Sequence, residues 1–127
     1  MDIKQEDLIK FWTWVFGKDK IEIHKSDWTV PRLYIYHRTT WNEEDKEWNI
    51  DPIEPIPDLN ALYKYTIPKL QDKGYDTILE SHLKDFNASI INRLNDYYTT
   101  ISASTADTPT EALYNAIMKV IENDKTE

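Results

Sequence analysis

The stretch Thr108-Pro-Thr-Glu-Ala-Leu-Tyr-Asn-Ala-Ile-Met-Lys-Val-Ile121 decides more about the fold than any other segment of this 127-residue chain. Threonine at a helix cap accepts an amide hydrogen bond, proline suits the first helical position where its missing N–H is no loss, and Glu111 stands where it can close a capping box. A helix therefore begins at Thr108. Its apolar stripe, Ala112, Leu113, Ala116, Ile117, Val120 and Ile121, recurs at intervals of three and four residues and predicts one face laid on a sheet. Residues 123–127 are expected to fray.

Immediately upstream, 86–93 and 97–104 flank Leu94-Asn95-Asp96, a strand, turn, strand pattern in which Asn and Asp tolerate the left-handed backbone. Along the second strand the alternation predicts a shared face for Tyr97, Thr99, Ile101 and Ala103. The run 75–80 reads equally as strand or helix. Before it, Asp58 caps a helix that carries Leu59, Leu62, Tyr63, Ile67 and Leu70 and stops ahead of Gly74. Pro68 sits inside that helix at a cost of ~3 kcal/mol if unadapted, so a kink or break is expected near 65–67.

Three prolines in Asp51-Pro-Ile-Glu-Pro-Ile-Pro57 force extended backbone, an ordered crossover. At the N-terminus, Leu8, Ile9, Phe11, Trp12, Val15 and Phe16 fall at helical spacing from Lys4 to a stop at Gly17. Lys20–Lys25 and Arg32–His37 alternate as strands, and 42–47 (NEEDKE) form a hairpin tip between Trp41 and Trp48. The expected architecture is one α+β domain over 1–127, a two-layer sandwich with helices on an antiparallel sheet, in the order α-β-β-α-β-β-β-α.

Composition narrows the function classes. The formal net charge is −8, which argues against gripping nucleic-acid phosphates through bulk charge. Without cysteine there is no disulfide, no Cys-ligated zinc and no thiol nucleophile. Two glycines, Gly17 and Gly74, cannot build a P-loop or a dinucleotide fingerprint. No apolar run approaches the ~20 residues of a membrane span, and the acidic start lacks the order of a signal peptide, so a cytoplasmic protein is expected.

Two stretches carry a resemblance. Asp58-Leu-Asn-Ala-Leu-Tyr-Lys-Tyr-Thr-Ile-Pro-Lys-Leu70 and Ala106-Asp-Thr-Pro-Thr-Glu-Ala-Leu-Tyr-Asn-Ala-Ile117, with the strand pair between them ending in Ser102-Ala-Ser104, resemble small phage and prophage proteins of the phage ABA-sandwich type. The likeness covers roughly residues 50–122. It implies an α/β sandwich and a mobile-element origin, and it carries no catalytic residue.

Three chemistries compete for the remaining residues. Glu43, Glu44, Asp45, Glu47, Asp51, Glu54 and Asp58 face only Lys46 between 42 and 58, and hold most of the net charge. Such a strip complements a basic groove, so the leading expectation is a non-enzymatic accessory protein that binds and inhibits a host defence or nucleic-acid-processing protein. The alternative is a small-ligand binder, for instance of a nucleotide signal, using Arg32, Tyr34, Tyr36, Arg38 and Trp41, with Trp28, Trp48 and His37 nearby. Against it, a chain poor in aliphatics is expected to spend half or more of those rings on its core.

A carboxylate-based hydrolase is the third reading, and no residue pair marks it. His24, His37 and His82 lack ligand spacing, though paired strands would let His24 and His37 approach. Neither cofactor nor metal is expected, direct nucleic-acid and membrane contacts are not, and self-association is permitted.

Overall fold

The computed structural model describes residues 3–25, 33–94 and 97–123, and the chain clusters into two compact units divided between Ile56 and Pro57. Each unit is α+β and carries its own three-stranded antiparallel sheet.

The N-terminal unit opens with helix α1 (Gln5–Phe16), which Gly17 ends at φ +90°, a backbone conformation that favours glycine. The Gly17 amide donates to the Thr13 carbonyl at 2.8 Å, satisfying one of the last-turn acceptors. A 3-10 turn over Lys18–Lys20 leads into strand β1 (Ile21–Lys25). Strands β2 (Leu33–Asn42) and β3 (Glu47–Ile53) complete a sheet of order β1-β2-β3.

Leu8, Phe11 and Trp12 of α1 are buried with Ile21, Leu33 and Ile35 of the sheet. The Phe16 ring stacks on His37 with centroids 4.1 Å apart, so the helix covers the face of β2 that carries Leu33, Ile35 and His37. Pro52 lies within β3, an edge strand, where a missing N–H is tolerated.

The C-terminal unit contains helices α2 (Leu59–Tyr65) and α3 (Ile67–Asp72), strands β4 (Tyr75–Ser81), β5 (Phe86–Leu94) and β6 (Tyr97–Ala106), and helix α4 (Pro109–Asn123). Asp58 caps α2 by accepting from the Ala61 amide at 2.8 Å. The expected break falls at Thr66. Pro68 becomes the second residue of α3, and a continuous helix would have required its absent N–H to reach the Lys64 carbonyl. Thr66 is fully buried, its hydroxyl donates to the Leu62 carbonyl, and Leu62 and Leu70 are buried on either side.

Helix α4 starts as its sequence dictates: Thr108 Oγ1 accepts from the Glu111 amide at 3.2 Å, and the Thr108 carbonyl accepts from Ala112. Among the described residues Glu111 makes no return bond, so only the first half of the capping box forms. The whole expected stripe is buried, and Tyr114 and Met118 are buried as well, because α4 packs against α2 in addition to β5 and β6.

Several expectations change. The α+β class stands, but the strands form two antiparallel sheets where one was expected, because the proline-rich stretch from Pro52 to Pro57 ends the first sheet before the second begins. The order is α-β-β-β-α-α-β-β-β-α: 47–53 adds a strand to the expected order, while the break before Pro68 and three strands after it were expected, the ambiguous run 75–81 being the first of those strands.

The shared face of Tyr97, Thr99, Ile101 and Ala103 is also corrected. Ile90 pairs with Ser102 but Ile91 pairs with Thr100, leaving Ile101 as a bulge that resets the alternation. Ser102 is the buried residue, its hydroxyl donating to the Ala116 carbonyl at 2.7 Å, whereas Tyr97, Thr99 and Ala103 are exposed. The Asn95-Asp96 turn and the end of the chain from 124 lie outside the described residues.

Replacing Thr108 with Ala is expected to lower stability by about 0.5–2 kcal/mol with the fold retained, read as a shifted denaturant midpoint at unchanged slope. Leu113→Asp or Ile117→Asp should prevent cooperative folding, since each buries an unpaired carboxylate among fully buried neighbours. A Thr108→Ala midpoint identical to the parent would contradict the cap.

Candidate functional site: the outward face of the N-terminal sheet

Alternation along β2 sends Leu33, Ile35 and His37 toward α1 and Tyr34, Tyr36 and Arg38 to the opposite face. Continued without interruption, it would send Trp41 back toward α1. A bulge prevents this. Arg38 pairs with Ile50, Thr40 pairs with Asn49 and Trp41 pairs with Trp48, so Thr39 is an extra residue that shifts the register by one.

Side-chain bonds hold the irregularity: Thr39 Oγ1 donates to the Asn49 carbonyl at 3.1 Å, and the Asn49 side-chain amide donates to Thr40 Oγ1 at 2.7 Å. Beyond the bulge Trp41 joins Tyr34, Tyr36 and Arg38 on the outward face, together with Trp48, Ile50 and Pro52 of β3.

The contacts on this face agree with the register. Trp41 and Trp48 meet edge to face with centroids 5.5 Å apart. The Lys20 ammonium and the Arg38 guanidinium lie 5.2 and 5.8 Å from the Trp48 ring centroid, within cation–π range. Arg38 Nε donates to Glu22 Oε1 at 3.1 Å and its Nη1 to the Asp19 carbonyl at 3.3 Å, so its charge is largely spoken for. His24 packs edge-on against Tyr36 and sits 3.5 Å from the Glu22 carboxylate.

Four of the five residues singled out for ligand binding, Tyr34, Tyr36, Arg38 and Trp41, are thus gathered on one face. Arg32 and Trp28 lie outside the described residues. The expectation that half or more of these rings form the core is corrected: Tyr34 is 43% exposed, Trp41 44%, and Tyr36 and Trp48 are half-buried. The core rings are instead Phe11 and Trp12, fully buried, with Trp12 Nε1 donating to the Pro55 carbonyl at 2.8 Å.

The acidic strip is not one surface. Glu43, Glu44, Asp45 and Glu47 cluster, exposed, at the hairpin tip. There Asn42 Oδ1 accepts from the amides of Glu44 and Asp45 at 3.0 and 3.2 Å, while its Nδ2 donates to Asp45 Oδ2. Glu43 accepts from Trp41 Nε1 at 3.1 Å and pairs with Lys46 at 2.8 Å. Lys46 closes the turn at φ +55°, in the left-handed region. Asp51 is exposed on the other face, opposite His37, and Glu54 lies beyond the end of β3.

His24 and His37 fall on opposite faces of the sheet and do not converge, and no group of His, Asp or Glu with metal-site geometry occurs among the described residues. Where Glu54–Ile56 leaves β2, a groove of about 530 Å³ opens, lined by Tyr34, Tyr36, Leu8, Ile53, Ile56 and Glu54 among others. The sequence reading missed this groove and the part played by Glu22 and Lys20. Alternation alone already aligns Glu22 with His24, but the bulge has no sequence signal, because neither Gly nor Pro stands near Thr39.

Compared with known proteins, the chain matches no family model, no curated protein and no solved structure. Among the described residues no helix is long and apolar enough to cross a membrane.

Exposed and core rings should separate on mutation. Tyr34→Ala is expected to change unfolding free energy by no more than about 0.5 kcal/mol, and Trp12→Ala to cost about 3–5 kcal/mol. Chemical denaturation followed by circular dichroism checks both, and a large loss for Tyr34→Ala would place that ring in the core.

Proposed function

We propose that this is a non-enzymatic binding protein that engages a basic partner protein through the outward face of the β1–β3 sheet. The observation that carries this reading is the apolar, ring-rich surface made by Tyr34, Trp41 and Ile50, which are 43%, 44% and 38% exposed on one face and adjoin a tip of four carboxylates. Aromatic rings are over-represented at the centres of protein interfaces, where they give up water at low entropic cost, while rim charges set encounter rate and specificity. Here the rings supply the anchor and Glu43, Glu44, Asp45 and Glu47 the steering. The resemblance to phage and prophage proteins supports the setting: an accessory protein in the host cytoplasm that inhibits a defence or nucleic-acid-processing protein.

Sequestration of a small nucleotide ligand is the second reading, favoured by the groove beside Tyr34 and Tyr36. Phosphate pairing would have to displace the bond that Arg38 already makes to Glu22, which counts against it.

The test is to capture the partner from host lysate and titrate variants against it at low and high salt. Replacing Glu43, Glu44, Asp45 and Glu47 with Gln should slow association several-fold and flatten its salt dependence. Tyr34→Ala with Trp41→Ala should accelerate dissociation at least tenfold, the loss of about 1.4 kcal/mol or more. Low-salt binding unaffected by the Gln set would remove the acidic tip from the account. Release of a nucleotide on heating, with affinity lost on Arg38→Ala, would favour the second reading.

A further inference from the structure

The two sheets present four outer edges, and three of them are guarded against pairing with another chain. β1 carries Glu22 and His24, β3 carries Glu47, Asp51 and Pro52, and β4 carries Asp76 and Glu80. Charges and proline on an edge are the ordinary devices that stop strand addition, because an incoming strand would have to bury them or lose a ladder bond.

β6 has neither charge nor proline, and its one irregularity is the bulge at Ile101. Its ten residues, Tyr97-Tyr-Thr-Thr-Ile-Ser-Ala-Ser-Thr-Ala106, contain no charge, no proline and no glycine, and it is the outer strand of the order β4-β5-β6. Six of the ten, Tyr97, Tyr98, Thr99, Thr100, Ile101 and Thr105, are aromatic or β-branched residues of high strand propensity. Tyr97 and Tyr98 are 80% and 66% exposed, and Thr99, Thr100, Ala103 and Thr105 are exposed as well. A single cation reaches the backbone of this strand among the described residues: Lys119 of α4 donates to the Ala103 carbonyl at 2.6 Å.

We propose that a second copy of this chain pairs with β6 antiparallel, joining two β4–β6 sheets into one six-stranded sheet about a two-fold axis. A strand laid antiparallel against itself meets an identical set of donors and acceptors, so two-fold pairing is self-complementary without further design. In a chain of net charge −8, this is the edge on which two copies bring no like-charged side chains of the strand together. Asp107, which follows β6 directly, adds a carboxylate at one end of the pairing. Screening by salt therefore tightens this self-association, whereas salt weakens the binding proposed for the N-terminal sheet.

Sedimentation of the full chain from micromolar to millimolar concentration, at low and high salt, tests this directly. The expected result is a monomer–dimer equilibrium that shifts toward dimer with salt, and that Thr99→Lys with Thr100→Lys moves at least tenfold toward monomer. Those two lysines reduce the magnitude of the net charge, so a weaker dimer reports charge placed on the β6 edge and not overall repulsion between copies, and an unchanged circular dichroism spectrum shows that the variant is folded. Because the chain has no cysteine, single cysteines placed one at a time from 98 to 105 map the contact. Antiparallel pairing predicts disulfide dimers at one or two adjacent positions with yields falling on both sides. A monomer at every concentration, a dimer untouched by the lysine pair, or cross-linking uniform along the strand would each overturn the proposal.

Discussion

A single unpaired residue in each sheet decides which side chains face the helices and which face outward. In the N-terminal sheet it is Thr39, and every outward assignment past Arg38 depends on it. Strand geometry allows no compromise: a shift of one residue exchanges the two faces completely. Without the extra residue Trp41 would point to the α1 side of the sheet. With it, Trp41 meets Trp48 and completes a face begun by Tyr34 and Tyr36. In the C-terminal sheet Ile101 plays the same part, and the reset places Ser102 against the Ala116 carbonyl of α4.

The two units spend their apolar residues differently. In the C-terminal unit α4 is buried on two sides, by β5 and β6 and by α2, so Tyr114 and Met118 join the amphipathic stripe as core. Small residues at the sheet contact, Ala88, Ala112 and Ala116, are fully buried and allow close approach. Among the described residues the N-terminal unit has one α-helix for its sheet, and Tyr34, Trp41 and Ile50 on the opposite face are exposed. That face is occupied by residues that tolerate water on one side and apolar contact on the other, Tyr, Trp, Arg and His. The ion pair of Arg38 with Glu22 spans β1 and β2 and holds the guanidinium beside Trp48.

Much of this was legible in the sequence wherever a local rule acts alone. The Thr108 cap, the Gly17 stop, the break forced by Pro68 and the 42–47 tip each follow from the chemistry of one or two residues, and each stands in the structure. Membership of Tyr34, Tyr36 and Arg38 in one face follows from alternation. What was not legible depends on contacts distant in sequence. Nothing at Thr39 or Ile101 announces a bulge, because both are good strand formers. The division into two sheets depends on how far β3 continues through Pro52, and the burial of Tyr114 and Met118 on where α2 packs. The acidic run looked continuous along the chain, yet a strand distributes neighbouring residues to opposite faces, and Asp51 parts from the tip for that reason.

The outward face depends on the register past Arg38. Proton–proton contacts across the β2–β3 pair, measured by nuclear magnetic resonance on the full chain, read it directly. The structure predicts Trp41 opposite Trp48 with their indole rings in contact, and Arg38 opposite Ile50. A regular ladder that keeps Arg38 opposite Ile50 would instead set Trp41 opposite Glu47, with no contact between the two indoles. That result would return Trp41 to the α1 side and dissolve the proposed recognition face.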